Sequence, residues 1–173
     1  LERYVDYPDY LNEREESIIQ RWYGAEVDYL DARLEEFLDW FYDSDIADET
    51  ILIFTSDHGE HLGEHGFYGH SHWSYDELLQ VPLILSGPGI PENERRADLV
   101  SLVDVFDTIC DLVDVPSPDG TVGVPMFNGK SRDAVYAEYG IRDLEKMKYG
   151  FVSGELRDKL SAGQKCIRTS GKK

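Results

Sequence analysis

Apolar side chains recur along the first quarter of the chain at the spacing of an amphipathic helix. Between Leu11 and Tyr42 they follow one another in steps of three and four residues, which places them on one face of a helix. Asn12 can cap the first turn, and Glu15 can reach back to the backbone amide of Asn12. The pattern therefore predicts one long amphipathic helix over residues 11–42.

The apolar runs that follow are shorter and predict strands. Residues 51–55 and 81–86 are almost purely apolar and end at turn-forming residues, which is typical of strands covered on both faces in a parallel sheet. Residues 134–138 and 165–169 are further candidate strands, whereas residues 99–113 return to helical spacing. The order of these elements predicts an α/β domain with a mostly parallel sheet flanked by helices.

The end of the chain differs from this layered pattern. We expect residues 1–140 to form the layered domain and residues 141–173 to begin a small C-terminal subdomain. Ser170 and Gly171 are typical of a hairpin turn, and the strand that would follow this turn is cut short at Lys173. The terminal region therefore reads as an incomplete hairpin.

Charge restricts the partners that the chain can bind. The 173 residues carry 35 Asp and Glu against 17 Lys and Arg, a formal net charge of -18, and no lysine precedes Lys130. Phosphate backbones would repel such a surface, so we expect no nucleic-acid binding. The acids are scattered among periodic apolar residues, which indicates an acidic surface on a folded domain. Molar salt screens the self-repulsion of such a surface, and this favours a halophilic source.

Other features of the composition exclude further classes. No stretch approaches the roughly 18 uncharged apolar residues of a membrane span, and no signal peptide is recognisable, so a cytoplasmic protein without membrane contact is expected. The two cysteines, Cys110 and Cys166, form no C-x-x-C motif. Cys110 lies within an apolar run and is predicted to be a small buried hydrophobic residue.

The histidines form the strongest chemical signal. All five lie within fifteen positions, accompanied by carboxylates and glycines. They are His58, His61, His65, His70 and His72. The cluster begins where the predicted strand 51–55 ends, and in open α/β sheets ligands bind outside the carboxyl ends of strands. Asp57 and His58 offer a hard oxygen and a borderline nitrogen, a pair suited to Mg, Mn, Ca or Zn.

The segment also admits two other interpretations. The first is a polar surface loop whose histidines have no function. The second is a zinc protease, because residues 61–65 match the pattern H-x-x-E-H. That motif requires a helix to place both imidazoles on one face, and Gly59, Gly63 and Gly66 interrupt the segment. Each interior glycine weakens a helix by roughly 1 kcal/mol, which disfavours the protease.

Several motifs together resemble the sulfatase family of the alkaline-phosphatase superfamily. They are TSDHGE at 55–60, LGEHG at 62–66, VPLI at 81–84, SLVDV at 101–105 and AVYAE at 134–138. The resemblance extends over nearly the whole chain. It implies an alkaline-phosphatase-like α/β fold and a metal-dependent hydrolase of sulfuric esters.

The resemblance also implies roles for individual residues. Asp57 and His58 match the pair that binds a divalent metal, with Ca, Mg or Mn expected ahead of Zn. His70 matches the position of a Lys or His that contacts the ester oxygens, where it would stabilise charge or protonate the leaving group. Many sulfatases have Asn at the position of His58, whereas phosphonate and phosphodiester hydrolases of the superfamily are similar to this chain. Sulfate and phosphate esters therefore both stay open as substrates. Glu60 and Glu64 are expected to support the site or to lie on the surface.

The chain also departs from the family pattern. Sulfatases carry a nucleophile in a C/S-x-P-x-R motif and an earlier acidic pair, and neither is present in the 173 residues. The chain therefore resembles the C-terminal half of a sulfatase catalytic domain. Two hypotheses follow: the chain is a segment of a sulfatase, or it is a non-catalytic sulfatase-like module. An incomplete sheet would expose apolar surface, so a homodimer is also expected.

Overall fold

The computed structural model describes residues 11–70, 74–140 and 163–169. Its elements, in chain order, are α1 (Glu13–Tyr42), β1 (Leu52–Thr55), β2 (His61–Leu62), β3 (Tyr68–Gly69), α2 (Asp76–Leu79), β4 (Leu83–Ser86), α3 (Val103–Leu112), β5 (Ala134–Tyr139) and β6 (Gln164–Thr169). Each predicted helix and strand has a counterpart here, and the hairpin β2–β3 and the short helix α2 are additions that the apolar pattern did not predict. The expected turn at Ser170–Gly171 lies outside the described residues, and the division at residue 140 stays a prediction.

Helix α1 begins at the predicted cap. The side-chain oxygen of Asn12 accepts hydrogen bonds from the backbone amides of Arg14 and Glu15, at 3.1 and 3.2 Å. The Glu15 carboxylate in turn accepts from the Asn12 amide at 3.0 Å. This capping box satisfies amides that have no partner inside the helix. Among the described residues, no helix combines the length and the apolar character needed to cross a membrane.

Strands β1 and β4 are antiparallel, which corrects the expectation of parallel pairing for these two runs. Leu52 lies opposite Ser86, and Thr55 lies opposite Leu83. A continuous apolar run indicates burial, but it carries no information about strand direction, which the path of the connecting chain decides. Ile84 on β4 is 62% exposed, so the expected cover on both faces is also absent at this residue.

The chain divides into two compact units, which we name after their central residues. The histidine unit contains α1 and residues His58–Val81, and the aspartate unit contains Asp48–Asp57 and Pro82–Ala137. Phe41, Leu78 and His61 are buried in the histidine unit. Each unit thus has buried side chains of its own.

The aspartate unit contains a buried carboxylate. Asp104 on α3 is only 1% exposed, and both of its oxygens lie 2.9 Å from Nε of Arg132. The amides of Ser101 and Val124 donate to the same carboxylate at 2.8 Å. Cys110, on the same helix, is a buried free thiol, as predicted.

Candidate functional site

The candidate site begins at the carboxyl end of β1, where the sequence predicted it. The strand ends at Thr55, whose hydroxyl donates to the carbonyl of Pro82 at 2.8 Å. Asp57 ends the segment Asp48–Asp57 of the aspartate unit. His58 begins the segment His58–Val81 of the histidine unit. The role of Asp57 as a metal ligand stays a prediction.

Three side chains of the histidine unit converge. His58, Glu60 and His70 each offer one ligand atom, and these atoms all lie within 4.8 Å of one another. The two imidazole rings are stacked, with centroids 4.4 Å apart and planes inclined by 24°. Nδ1 of His70 lies 2.9 Å from Oε2 of Glu60. The structure therefore brings together His58 and His70, two of the three predicted site residues, and Asp57 is not part of this group.

The local backbone explains the convergence. Residues 58–60 have no regular hydrogen-bonded structure, and the ligand atoms of His58 and Glu60 lie within 4.8 Å of each other. Gly59 lies against the backbone of α2, where its amide donates to the Leu78 carbonyl at 2.9 Å. A Cβ at Gly59 would lie 1.9 Å from the Glu77 carbonyl oxygen. Only glycine permits this approach.

The hairpin β2–β3 supplies the third member of the group. His61 on β2 pairs with Gly69 on β3, so His70 returns to the point where Glu60 enters the hairpin. Gly63 and Gly66, at the tip, have φ of 120° and 76°, conformations that favour glycine. Gly63 and Gly66, which would weaken a helix in this segment, thus form the turn of the hairpin.

The hydrogen bonds orient both imidazoles. A carboxylate can only accept, so Nδ1 of His70 donates to Glu60 and Nε2 becomes the atom available for a ligand. Nδ1 of His58 lies 2.9 Å from the carbonyl oxygen of Gly59, which is also an acceptor. Both rings are therefore held in the same tautomer, with Nε2 unprotonated when the ring is neutral.

His61 is a packing residue. Its side chain is 1% exposed and lies against Phe67 and Tyr75, with ring centroids 5.7 and 5.9 Å away. Neither ring nitrogen has a hydrogen-bond partner. Burial lowers the pKa of His61, because the charged imidazolium would lose its hydration, and the attraction of Glu77 opposes this effect only in part.

His65 also packs against an aromatic ring. Its ring stacks on Tyr75 with centroids 4.0 Å apart, and its Nε2 lies 3.5 Å from Oε2 of Glu77. His61 lies on a strand, whereas His65 lies in a single 3-10 turn with φ of 56°. The helix that an H-x-x-E-H protease requires is absent from this segment.

The pKa values of two further residues in the hairpin segment are shifted. The amide of Leu62 donates to the Glu64 carboxylate at 2.7 Å, and this hydrogen bond lowers the pKa of Glu64. Burial, together with the neighbouring carboxylate of Glu16, raises the pKa of Tyr68 to about 12. Glu64 is therefore a structural anion and Tyr68 a neutral phenol at physiological pH.

The direct contact made by Glu60 was not predicted from the sequence. Glu60 is expected to support the site or to lie on the surface, and its hydrogen bond to His70 favours the supporting role. The spacing of His58 and Glu60 was the available signal, since residues i and i+2 share one side of an extended segment. His72 lies outside the described residues.

The residues of this group fit a divalent cation. They offer two imidazole nitrogens and one carboxylate oxygen, donors that divalent metals of the first transition row accept. The hydrogen bond from Nδ1 of His70 to a carboxylate is the arrangement that usually orients a ligating or proton-transferring histidine.

Comparisons with known proteins identify the family. A sequence model of the sulfatase family matches residues 2–115, a range that contains the whole histidine cluster. Arylsulfatase K from Gallus gallus is 37% identical over 121 residues, which cover 68% of this chain and 22% of that protein. Choline-sulfatase from Rhizobium meliloti is 35% identical over 127 residues, covering 69% of this chain and 24% of that enzyme.

A solved structure agrees with these relatives. The structure of a 2-O GAG sulfatase superposes with a TM-score of 0.58 at 26% identity, covering 64% of this chain and 26% of that one. The chain spans less than a quarter of the length of the two curated relatives. On the match of the family model and the agreement of the fold, this chain belongs to the sulfatase family.

Proposed function

We propose that this chain supplies part of the metal- and ester-binding site of a sulfuric-ester hydrolase. In this proposal Asp57 and His58 hold a divalent metal and His70 contacts the ester. The observation that carries the proposal is the stacking of the His58 and His70 rings, 4.4 Å apart. An ion on one imidazole and an ester oxygen on the other would then be neighbours.

Each side chain has a defined task in this arrangement. A divalent metal held by Asp57 and His58 would stabilise the negative charge that develops on the ester oxygens. His70 directs Nε2 at the ester, because its Nδ1 donates to Glu60. When protonated, Nε2 can stabilise an ester oxygen or give its proton to the leaving alcohol.

The donor pair bears on the identity of the metal. Calcium and magnesium prefer oxygen ligands, whereas imidazole favours transition metals. Asp57 offers oxygen and His58 offers nitrogen, so we propose Mn²⁺ as the preferred ion among Ca²⁺, Mg²⁺ and Mn²⁺. Calorimetric titration of the chain with the three ions, repeated with His58→Ala, tests this order. Stronger binding of Ca²⁺ than of Mn²⁺ would contradict it.

An activity assay tests the complete proposal. The chain is joined to the N-terminal part of a sulfatase that carries the C/S-x-P-x-R motif, and the product is assayed on an aryl sulfate and a phosphodiester. We expect His70→Ala to lower kcat/KM for the preferred ester by about 10²–10³-fold. His65→Ala is the matched control, since His65 stacks on Tyr75 outside the group. Full activity of Asp57→Ala on both esters would refute the assignment.

The choice between sulfate and phosphate esters depends on the same assay. His58, where many sulfatases have asparagine, is the feature that supports a phosphodiester or phosphonate monoester as the alternative substrate. We propose the sulfate ester because the relatives that match the chain are sulfatases. A higher kcat/KM for the phosphodiester would reverse this preference.

A second candidate function is a sulfatase-like module that binds metal without turnover. The 173 residues contain no C/S-x-P-x-R motif, and this observation favours the module for the chain acting alone. The isolated chain should then bind the metal and leave an aryl sulfate unchanged. Hydrolysis by the isolated chain that disappears with His70→Ala would exclude this function.

We propose that the acid excess is an adaptation to concentrated salt. The net charge of -18 destabilises the folded chain by self-repulsion, which salt screens. The melting temperature should therefore rise steeply between low and molar KCl. A flat response would contradict the proposal and would favour a basic partner instead.

A further inference from the structure

We infer that Glu60 is the positioning residue of His70: its carboxylate holds the imidazole in the tautomer and orientation that direct Nε2 at the ester. The inference rests on the proposed role of His70 in ester binding. From the sequence, Glu60 is expected only to support the site or to lie on the surface, and the inference gives it a specific role.

The contact itself is short and specific. Oε2 of Glu60 lies 2.9 Å from Nδ1 of His70, the usual length of a hydrogen bond between nitrogen and oxygen. Since the carboxylate only accepts, the proton must lie on Nδ1. The opposite nitrogen, Nε2, is then the atom that can take or give a proton at a ligand.

Glu60 is well placed to hold a ring in position. Its side chain is only 27% exposed, whereas that of His70 is 44% exposed. The backbone next to it is fixed by the hydrogen bond between Gly59 and Leu78, at 2.9 Å. Gly69, which precedes His70, would place a Cβ 3.8 Å from Oε1 of Glu60. The anchored and better-buried carboxylate therefore orients the more exposed imidazole.

A second carboxylate–imidazole pair in the same unit provides a comparison. The carboxylate of Glu77 lies 3.5 Å from Nε2 of His65. This pair therefore involves Nε2 instead of Nδ1, and its distance is longer than the 2.9 Å between Glu60 and His70. The orientation of His65 follows instead from stacking on Tyr75, 4.0 Å away. The two pairs have the same chemistry, but only in the Glu60 pair does the carboxylate determine which nitrogen faces outward.

Direct metal coordination by Glu60 is the competing role. A metal ion bound by both Glu60 and His70 would lie about 2.0–2.2 Å from the donor atom of each residue. In the structure Oε2 and Nδ1 hydrogen-bond to each other instead. The geometry therefore favours positioning, and the two roles differ in their effect on metal affinity.

Nuclear magnetic resonance on the ¹⁵N-labelled chain tests the inference without any turnover. With a chelator present and at alkaline pH, two-bond ¹H–¹⁵N spectra report which nitrogen of each neutral imidazole carries the proton. We expect His70 to be protonated at Nδ1, Glu60→Ala to shift it to the Nε2-protonated form, and Glu60→Gln to restore Nδ1 protonation in part. Glu77→Ala is the matched control and should leave His70 unchanged. An unchanged His70 tautomer in Glu60→Ala would overturn the inference.

Two further measurements separate the alternatives. Partners that orient a functional histidine typically contribute about 10–100-fold, so Glu60→Ala in the joined enzyme should lower kcat by that factor with little change in KM. A loss of Mn²⁺ affinity in Glu60→Ala as large as that in His58→Ala would overturn positioning in favour of coordination. If His70→Ala retains full activity while the tautomer shift occurs, the proposed function fails and the contact between Glu60 and His70 stands.

Discussion

The histidine unit and the aspartate unit each contain a carboxylate that faces a basic group, and the two arrangements differ in burial. Asp104 is 1% exposed, and it accepts hydrogen bonds from Arg132, Ser101 and Val124. In the other unit, Glu60 and His70 keep 27% and 44% of their side chains exposed. The Asp104 carboxylate is enclosed by hydrogen-bond donors. The Glu60 carboxylate instead contacts the imidazole of His70, which is partly exposed to solvent.

The pKa of each unit's buried group reflects this difference. Burial alone would raise the pKa of Asp104, but the hydrogen bonds from Arg132, Val124 and Ser101 lower it below its ordinary value. In His61, burial is the largest influence and no hydrogen bond opposes it, so the pKa falls. The donors around Asp104 thus compensate its buried charge, and removal of one of them would leave that charge without its partner.

Removal of Arg132 should give the largest effect on stability. Arg132→Ala leaves the Asp104 carboxylate buried without its cation, a change that typically destabilises a protein by about 3–5 kcal/mol. Urea denaturation measures the loss. Arg33→Ala is the matched control, because the pair between Arg33 and Glu36 is exposed and should contribute about 0–1 kcal/mol. Equal effects of the two substitutions would remove the distinction between the buried and the exposed pair.

A methyl group at Gly59 tests the backbone that supports the histidine cluster. Its Cβ would lie 1.9 Å from the Glu77 carbonyl oxygen, and overpacking of this kind costs typically about 1–3 kcal/mol. We expect Gly59→Ala to lower the free energy of unfolding by that amount and to weaken metal binding. Gly24→Ala in α1 meets no atom within 4 Å and should stabilise the helix by roughly 0.5–1 kcal/mol. Stabilisation by Gly59→Ala would show that α2 does not pack as described.

The smallest effect concerns the pH dependence of stability in the histidine unit. The pKa of His61 in the folded chain lies below the ordinary histidine value of 6.5. The unfolded chain therefore binds the proton first, and the stability present above pH 6.5 is lost as the pH falls toward the folded pKa. One such group changes the free energy of unfolding by at most about 1.4 kcal/mol per pH unit.

His61→Phe isolates this contribution. The substitution keeps an aromatic ring at the packed position and removes the proton-binding group, so the slope between pH 7 and pH 5 should decrease. His65→Phe serves as the control for an exposed histidine. Denaturation curves at a series of pH values provide the measurement, and identical slopes in His61→Phe and the unsubstituted chain would contradict the expectation.

The sequence alone determined the local structure and the family. Periodicity placed α1, and the capping residues Asn12 and Glu15 fixed its first turn as predicted. The apolar runs located β1, β4, β5 and β6 to within about two residues, whereas they did not predict the hairpin β2–β3. The motif around Asp57 and His58 indicated the sulfatase family that the comparisons confirm. These features depend on neighbours in the chain, so the pattern of residues contains them.

The tertiary structure decided the features that depend on distant residues. The direction of β4 against β1 follows from the path of the chain between them, and the contact between Glu60 and His70 spans ten positions. The hairpin β2–β3 closes that distance, because its glycine turn returns the chain to its starting point. The sequence showed which side chains carry chemistry, and only the fold determined which of them meet, since distance in space is set by packing and backbone path rather than by order along the chain.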